Sequence, residues 1–152
     1  MPLGLSDTYF PAPGDSGLRA PFAHGYEMRE GKRTDVTTFN ASAAGMAGSL
    51  ISTNEDTAAF ITALLDGRVV PSAQLTDAGP GFHYGLGLTS IDLDCGVKEW
   101  GHGGDIDGFH SLMAKVFGSP AVSITLTQSP PETESLAADP RAEVLNAVYC
   151  AA

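Results

Sequence analysis

The spacing of apolar residues changes twice along this chain and predicts a helix, then a group of strands, then a second helix. After Thr53, apolar side chains recur every three or four positions up to Gly67, which is the spacing of one helix face. They are Ala59, Phe60, Ala63 and Leu64. Ser52 or Thr53 can cap this helix, and Asp56 follows Thr53 at the spacing of a capping box.

Strand-like runs follow, separated by glycine and proline. The pattern predicts a tight turn at 118–120 and four strands, over 82–88, 97–102, 109–117 and 121–127. A second helix is predicted over 140–149, because Pro140 suits a first helical turn and Asp139 can cap it. This order predicts an α+β fold, an antiparallel sheet flanked by helices. The 152 residues are expected to form one domain or part of one.

Residues 1–40 show neither period and are predicted to be largely irregular. Turns are expected at 11–15 and at 30–32, with one short strand over 24–28 before the second turn. The small residues of 41–50 allow close packing against a neighbouring segment.

Charge narrows the classes of partner. The formal net charge is −10 at pH 7, whereas nucleic acids and anionic membranes are bound by basic faces, so neither is predicted as a partner. The sequence has no apolar run of about 18 residues, so no membrane span is predicted. Its first residues have neither the basic start nor the apolar stretch of a signal peptide.

The chain has two cysteines, Cys95 and Cys150, which lie far apart in the sequence. Their even number is compatible with one disulfide, and two buried thiols are the alternative. No C-x-x-C occurs, which argues against a zinc ribbon and a thioredoxin-type redox site. No metal or other cofactor is predicted.

The segment from Trp100 to Phe109, WGHGGDIDGF, carries the strongest candidate chemistry. It places one histidine among four glycines after a strand-like run, and glycine lets another molecule approach the backbone closely. We interpret the segment as one wall of an active site. The candidate catalytic residues are His102, Gly103 and Gly104. The candidate substrate contacts are Trp100, Asp105, Asp107 and Phe109.

This segment has other interpretations. His102 can instead be a structural histidine at a strand end. Together with Asp105, Asp107 and His110 it has the donor types of a metal site, although Asp-Ile-Asp-Gly is too short for a calcium loop. His-Gly-Gly is also an oxyanion motif of α/β-hydrolases, but no G-x-S-x-G accompanies it.

Several motifs occur in a characteristic order along the chain. They are Pro2–Thr8, Ala43–Gly45 followed by Ser52–Asp56, Tyr84–Leu88, and Trp100–Gly104 followed by Gly108-Phe109. Together they resemble the C-terminal part of the serine β-lactamase and penicillin-binding-protein superfamily. The nearest branch is the class C β-lactamase-like group, and within it the actinobacterial D-alanyl-D-alanine carboxypeptidases.

The resemblance implies a β-lactamase/transpeptidase-like fold, of which this chain is the C-terminal portion. It implies acyl transfer to an activated serine, with Trp100–Gly104 as the third catalytic motif, acting on a small-molecule or peptide substrate. It also implies a Cys95–Cys150 disulfide and an extracellular, secreted location. The sequence contains neither the Ser-x-x-Lys nor the Tyr-x-Asn motif that such an enzyme needs.

The chain departs from the pattern of these carboxypeptidases at three places. Gly103 stands where a threonine or serine is usual, and Asp105 and Asp107 stand where uncharged polar residues are usual. Thr89-Ser90-Ile91 lacks the arginine that would hold a substrate carboxylate. Two acids and a missing cation would repel that carboxylate, so we expect a neutral or cationic ester or amide as the substrate.

Three functions remain open from the sequence. The chain is part of a serine hydrolase that needs a missing N-terminal half on the same or another chain, or a non-catalytic remnant serving as a binding or assembly module. The third, a small independent enzyme, is disfavoured by the missing motifs. In the family that the chain resembles, strands that precede the nucleophile complete the sheet. The resemblance therefore implies an exposed sheet edge and apolar face, so the isolated chain is expected to dimerise, to bind its missing half or to aggregate.

Overall fold

The computed structural model describes residues 3–71, 75, 83–85, 87–128 and 139–151, and it has two helices and seven strands within them. The strands are β1 (Tyr26–Arg29), β2 (Lys32–Asp35), β3 (His83–Gly85), β4 (Leu88–Asp92), β5 (Lys98–Ile106), β6 (Phe109–Val116) and β7 (Ala121–Leu126). The helices are α1 (Asn54–Leu65) and α2 (Pro140–Tyr149), and a 3-10 segment spans Ala41–Ala47. Neither described helix has the length and hydropathy that crossing a membrane requires.

The main sheet has five antiparallel strands in the order β3-β4-β5-β6-β7, and β1 and β2 form a separate hairpin. The β5–β6 pairing is the longest, running from Glu99 opposite Val116 to Ile106 opposite Phe109. An antiparallel sheet flanked by helices, as the sequence predicts, is therefore confirmed.

The two helices pack on opposite faces of this sheet. Side chains alternate across a strand, so Trp100 and Glu99 point to different sides. Ile61 and Leu65 of α1 form one core cluster with Leu88, and Trp100 packs against it. Leu145 of α2 forms the other cluster with Leu93 and Ala114. Even-numbered residues of β5, such as Trp100, therefore face α1, and odd-numbered residues, such as Glu99, face α2.

Thr53 is the N-cap of α1, as one of the two predicted residues, and its hydroxyl accepts a hydrogen bond from the Asp56 amide. The carboxylate of Asp56 does not complete a capping box. It accepts instead from the Asp7 amide at 2.9 Å and from the Thr8 hydroxyl at 2.7 Å. This buried carboxylate thereby fixes the start of the described chain against α1.

A disulfide joins Cys95, in the turn between β4 and β5, to Cys150 at the end of α2. At its other end α2 begins as predicted, with Pro140 in the first turn and Asp139 as the cap. The Asp139 carboxylate accepts from the Arg141 amide at 2.8 Å. The helix is therefore linked to the β4–β5 turn directly after its last residue and capped directly before its first.

The structure corrects three predicted boundaries. The strand predicted over 82–88 is two shorter strands, since a turn with Gly87 at φ +78° separates β3 from β4; Phe82 and Leu86 lie outside the described residues. The strand predicted to end at residue 102 continues to Ile106, because the chain reverses only at Gly108, where φ is +76°. The segment predicted to be largely irregular contains the β1–β2 hairpin, which turns at Glu30 and Gly31.

That hairpin docks on the end of the main sheet. The Tyr26 amide donates to the Thr127 carbonyl at 2.8 Å, and the Arg29 guanidinium donates to Asp107 at 2.9 Å. Gly25 lies so close to the β5–β6 turn that a methyl group there would stand 2.5 Å from a ring carbon of Phe109. The hairpin therefore fixes the turn that follows β5.

Candidate functional site

The candidate site lies where β5 extends beyond its neighbour β4. β4 pairs with β5 only from Lys98 to Gly101, whereas β6 pairs with it as far as Ile106. On the side of β4, within the described part of the chain, no strand pairs with β5 from His102 onwards. An unpaired antiparallel edge presents the N–H and C=O groups of alternate residues, which are available to an added strand.

The glycines of this strand have different surroundings. A methyl group on Gly101 would lie 2.1 Å from the Met113 carbonyl oxygen of β6, which leaves no room for a side chain. One on Gly103 would lie 3.4 Å from the Ser111 carbonyl oxygen, an ordinary contact distance. The Ser111 hydroxyl donates to the Gly104 carbonyl at 3.3 Å. Gly101 is thus required by the β5–β6 pairing, whereas packing leaves room for a methyl group at Gly103.

We predict that Gly101→Ala lowers the free energy of unfolding by about 2 kcal/mol, because β5 must move away from β6 to admit the methyl group. Gly103→Ala is the matched control and should change it by less than about 0.5 kcal/mol. Urea denaturation of both variants measures the difference. Equal losses in the two variants would contradict the packing argument.

His102 points to the α1 side of the sheet and is half-buried. Its Nδ1 lies 2.5 Å from the Gly103 carbonyl oxygen, and a carbonyl only accepts, so Nδ1 is the donor of this hydrogen bond. When the ring is neutral, Nε2 is therefore the acceptor nitrogen. The ring of Tyr84 meets the His102 ring edge-on, with their centres 5.9 Å apart.

The two acidic candidates are both paired with cations. The Asp105 carboxylate lies on the α2 side, away from His102, where His110 and Arg141 contact the same oxygen at 2.8 and 2.9 Å. Asp107 is paired with Arg29. The repulsion expected from two bare acids is therefore reduced. The sequence could not show this, because neither arginine is near these acids along the chain.

The aromatic candidates contribute mainly to packing. Trp100 packs against the α1-side core and meets the Phe117 ring at 6.3 Å. Phe109 opens β6 and contacts the hairpin at Gly25. The hydroxyl groups of Ser49 and Ser111 donate to backbone carbonyls.

A metal site is not assembled in the described ranges, where no three histidine, cysteine or acidic side chains come together suitably. His102 and the Asp105–His110 pair lie on opposite faces of the sheet. The third partner of that pair is the Arg141 guanidinium, a cation that takes the place a metal ion would need.

Arg141 is the main residue that sequence analysis did not identify. Its side chain is 13% exposed and reaches from α2 to β5 and β6. The only local signal is its position directly after Asp139-Pro140 at a helix start, which predicts a cap but no link to a strand 36 residues earlier.

No family model matches this sequence. Solved structures do. A D-stereospecific amidohydrolase from Streptomyces sp. superposes with a TM-score of 0.80 at 32% identity, over 98% of this chain and 45% of its own. A D-amino acid amidase from Ochrobactrum anthropi SV3, complexed with L-phenylalanine amide, superposes with a TM-score of 0.75 at 27% identity, over 97% of this chain and 47% of the amidase. A penicillin-binding protein from Bacillus halodurans superposes with a TM-score of 0.67 at 20% identity, over 86% of this chain and 42% of that protein, and the likeness shows the fold alone.

This chain therefore spans less than half the length of the proteins whose structures it matches. It corresponds to part of their fold, and more than half of each of those proteins lies outside the superposition.

Proposed function

Because this chain has part of the fold that penicillin-binding proteins and β-lactamases share, we propose that it forms part of a serine hydrolase and supplies one wall of the active site. The observation that carries the proposal is the edge of β5 from His102 to Ile106, with which no strand of the described residues pairs on the β4 side. A substrate with an extended backbone can pair with this edge as an added strand. Gly103 and Gly104 keep side chains out of its path.

The chemistry needs groups that these 152 residues do not contain. A serine attacks the amide carbonyl, its proton passes through a base to the leaving nitrogen, and water then hydrolyses the acyl-serine ester. We assign the serine and its base to Ser-x-x-Lys and Tyr-x-Asn motifs in the rest of the fold, on the same chain or on another one. When its ring is neutral, His102 can accept a hydrogen bond at Nε2 from a hydroxyl or from the substrate at this wall, because Nδ1 donates to the Gly103 carbonyl.

The substrate class that we propose is the uncharged amide of a D-amino acid. Two of the similar structures are named as a D-stereospecific amidohydrolase and a D-amino acid amidase. Thr89-Ser90-Ile91 of β4 offers no cation for a carboxylate, and an amide substrate has none at that end. The partner that we propose is the remainder of the fold. Secretion is a further proposal, which the disulfide supports because such bonds persist outside the cytosol.

The proposal predicts that this chain alone is not acylated and that the completed fold is. The test joins this chain to the part of the Streptomyces amidohydrolase that it does not match. Intact mass spectrometry after treatment with a fluorophosphonate should show one adduct on the chimera and none on the chain alone. Ammonia release from D-phenylalanine amide measures turnover of the chimera.

His102→Ala in the chimera should lower kcat about 100-fold, because a hydrogen-bonding group at the reacting centre is lost. Glu30→Gln, an exposed change on the hairpin turn, is the matched control and should leave kcat unaltered. Acylation of the isolated chain would mean that a nucleophile lies within these residues. A folded chimera without adduct or turnover would favour the alternative, a non-catalytic binding or assembly module.

A further inference from the structure

The Arg141 guanidinium joins α2 to the part of β5 that forms the unpaired edge. One of its terminal nitrogens, Nη1, donates to the Asp105 carboxylate and to the Ser111 carbonyl oxygen, both at 2.9 Å. Its other nitrogens bind both oxygens of the Asp139 carboxylate, at 2.7 to 3.1 Å. One side chain thus contacts a helix cap and two neighbouring strands.

The guanidinium also lies against the backbone of the glycine pair. A methyl group on Gly103 would be 3.8 Å from its Nη1, so the guanidinium covers the α2 face of the strand at that residue. No side chain of β5 stands between them. From Gly103 to Asp105 the strand has β6 on one edge and no described strand on the other, so this contact supports it where pairing is incomplete.

The charges of the cluster favour a fixed arrangement. Asp105 accepts from His110 and Arg141, and hydrogen bonds from Arg141 lower the pKa of Asp139 below its usual range. The same Asp139 contact raises the pKa of Arg141. The guanidinium therefore remains charged, and its planar shape lets it bind Asp139 bidentately while reaching β5 and β6. A lysine at this position cannot make all of these contacts.

We propose that Arg141 and Asp105 are positioning residues, which hold Gly103–Asp105 in the geometry that pairs with a substrate. Neither side chain touches the substrate, since both lie on the opposite face from His102. The kinetic part of this inference rests on the proposed function. The structural part, that the strand is held by Arg141, does not.

The structural part is tested on the chain itself by backbone order parameters from NMR relaxation. In Arg141→Met, the values for Gly103, Gly104 and Asp105 should fall from near 0.85 to below about 0.6, while those of Glu99–Gly101 stay the same. Asp105→Asn breaks the same link from the strand and should give a smaller fall at the same residues. Arg19→Met, which removes a guanidinium from the Tyr9 ring, is the matched control.

The kinetic part is tested in the chimera. Arg141→Met should lower kcat by about 10-fold to 100-fold with KM changed less than about twofold, because the reacting groups are misaligned. Arg141→Lys should recover part of the loss. Unchanged order parameters in both cluster variants, or a fall spread over the whole sheet, would overturn the inference. Lower order parameters of Gly103 and Gly104 together with a wild-type kcat would also overturn the inference. In that case the proposed function stands. An inactive wild-type chimera would count against the proposed function alone, and the order parameters then decide the inference.

Discussion

Removal of the Cys95–Cys150 disulfide is expected to lower the free energy of unfolding by about 4 kcal/mol. The bond closes a loop with a sequence separation of 55 residues. In the chain-entropy model, cross-linking a loop of that length lowers the entropy of the unfolded chain, which raises its free energy by about this amount. The loop contains β5, β6 and β7, so the bond constrains the sheet core as well as α2. The midpoint of thermal unfolding should fall by roughly 10 °C.

Guanidinium denaturation of Cys95→Ala/Cys150→Ala, beside the oxidised wild type, measures this loss. The reduced wild type should match the double variant, and reductant should have no effect on the variant itself. Wild-type stability that is the same with and without reductant would show that the bond contributes nothing to folding.

Glu99→Gln is expected to stabilise the protein by about 3 kcal/mol at pH 8 and to have almost no effect at pH 4. Glu99 is 1% exposed on the α2 face of β5, and within the described residues its Oε2 has no hydrogen-bond partner. Burial raises the pKa of Glu99 from its usual 4.5 to about 7. Its carboxyl group is therefore neutral in the folded chain over a range in which the unfolded chain ionises.

The sign follows from proton binding in the two states. Below pH 4.5 both states hold the proton, and the carboxyl group contributes nothing to the pH dependence. Between pH 4.5 and 7 only the folded state keeps it, so stability falls as the pH rises through that window. Above pH 7 the loss is constant at about 3 kcal/mol, since each pKa unit corresponds to about 1.4 kcal/mol. Glutamine has the same shape and no charge to bury.

Urea denaturation at intervals from pH 4 to pH 8 compares Glu99→Gln with the wild type. Glu30→Gln, at an exposed turn, is the control and should follow the wild-type curve. A constant difference between Glu99→Gln and the wild type across this range would mean that the pKa of Glu99 is the same in the folded and the unfolded chain.

The elements that the sequence predicted correctly are determined by residues that are neighbours along the chain. The caps Thr53 and Asp139 are recognisable because a short polar side chain precedes a helical pattern, and both bond as expected. The strand boundaries were less accurate. The extension of β5 to Ile106 was not predicted, because Gly-Gly-Asp has low strand propensity and is held as a strand by its pairing with β6.

The structure places His102, Gly103 and Gly104 on the edge of β5 that no described strand pairs with. Their role in an active site stays a prediction. The surroundings of Asp105 were not predictable, since the residues that neutralise it come from β6 and α2. The sequence did not indicate that Glu99 is buried either. A single acid within a strand is usually on the solvent side, and only the packing of α2 places this one in the interior.

The docking of the hairpin on the end of the sheet has a consequence for synthesis. Tyr26 bonds to the Thr127 backbone, and Arg29 pairs with Asp107, which lies 78 positions later, so the hairpin docks on residues that follow it far along the chain. At roughly 5–20 residues per second, the ribosome adds Thr127 some 5 to 20 s after Tyr26. During that interval the newly made hairpin has no surface to dock on. Chaperones that cover nascent apolar segments would therefore find Met28, which stays exposed even in the folded chain, accessible throughout synthesis.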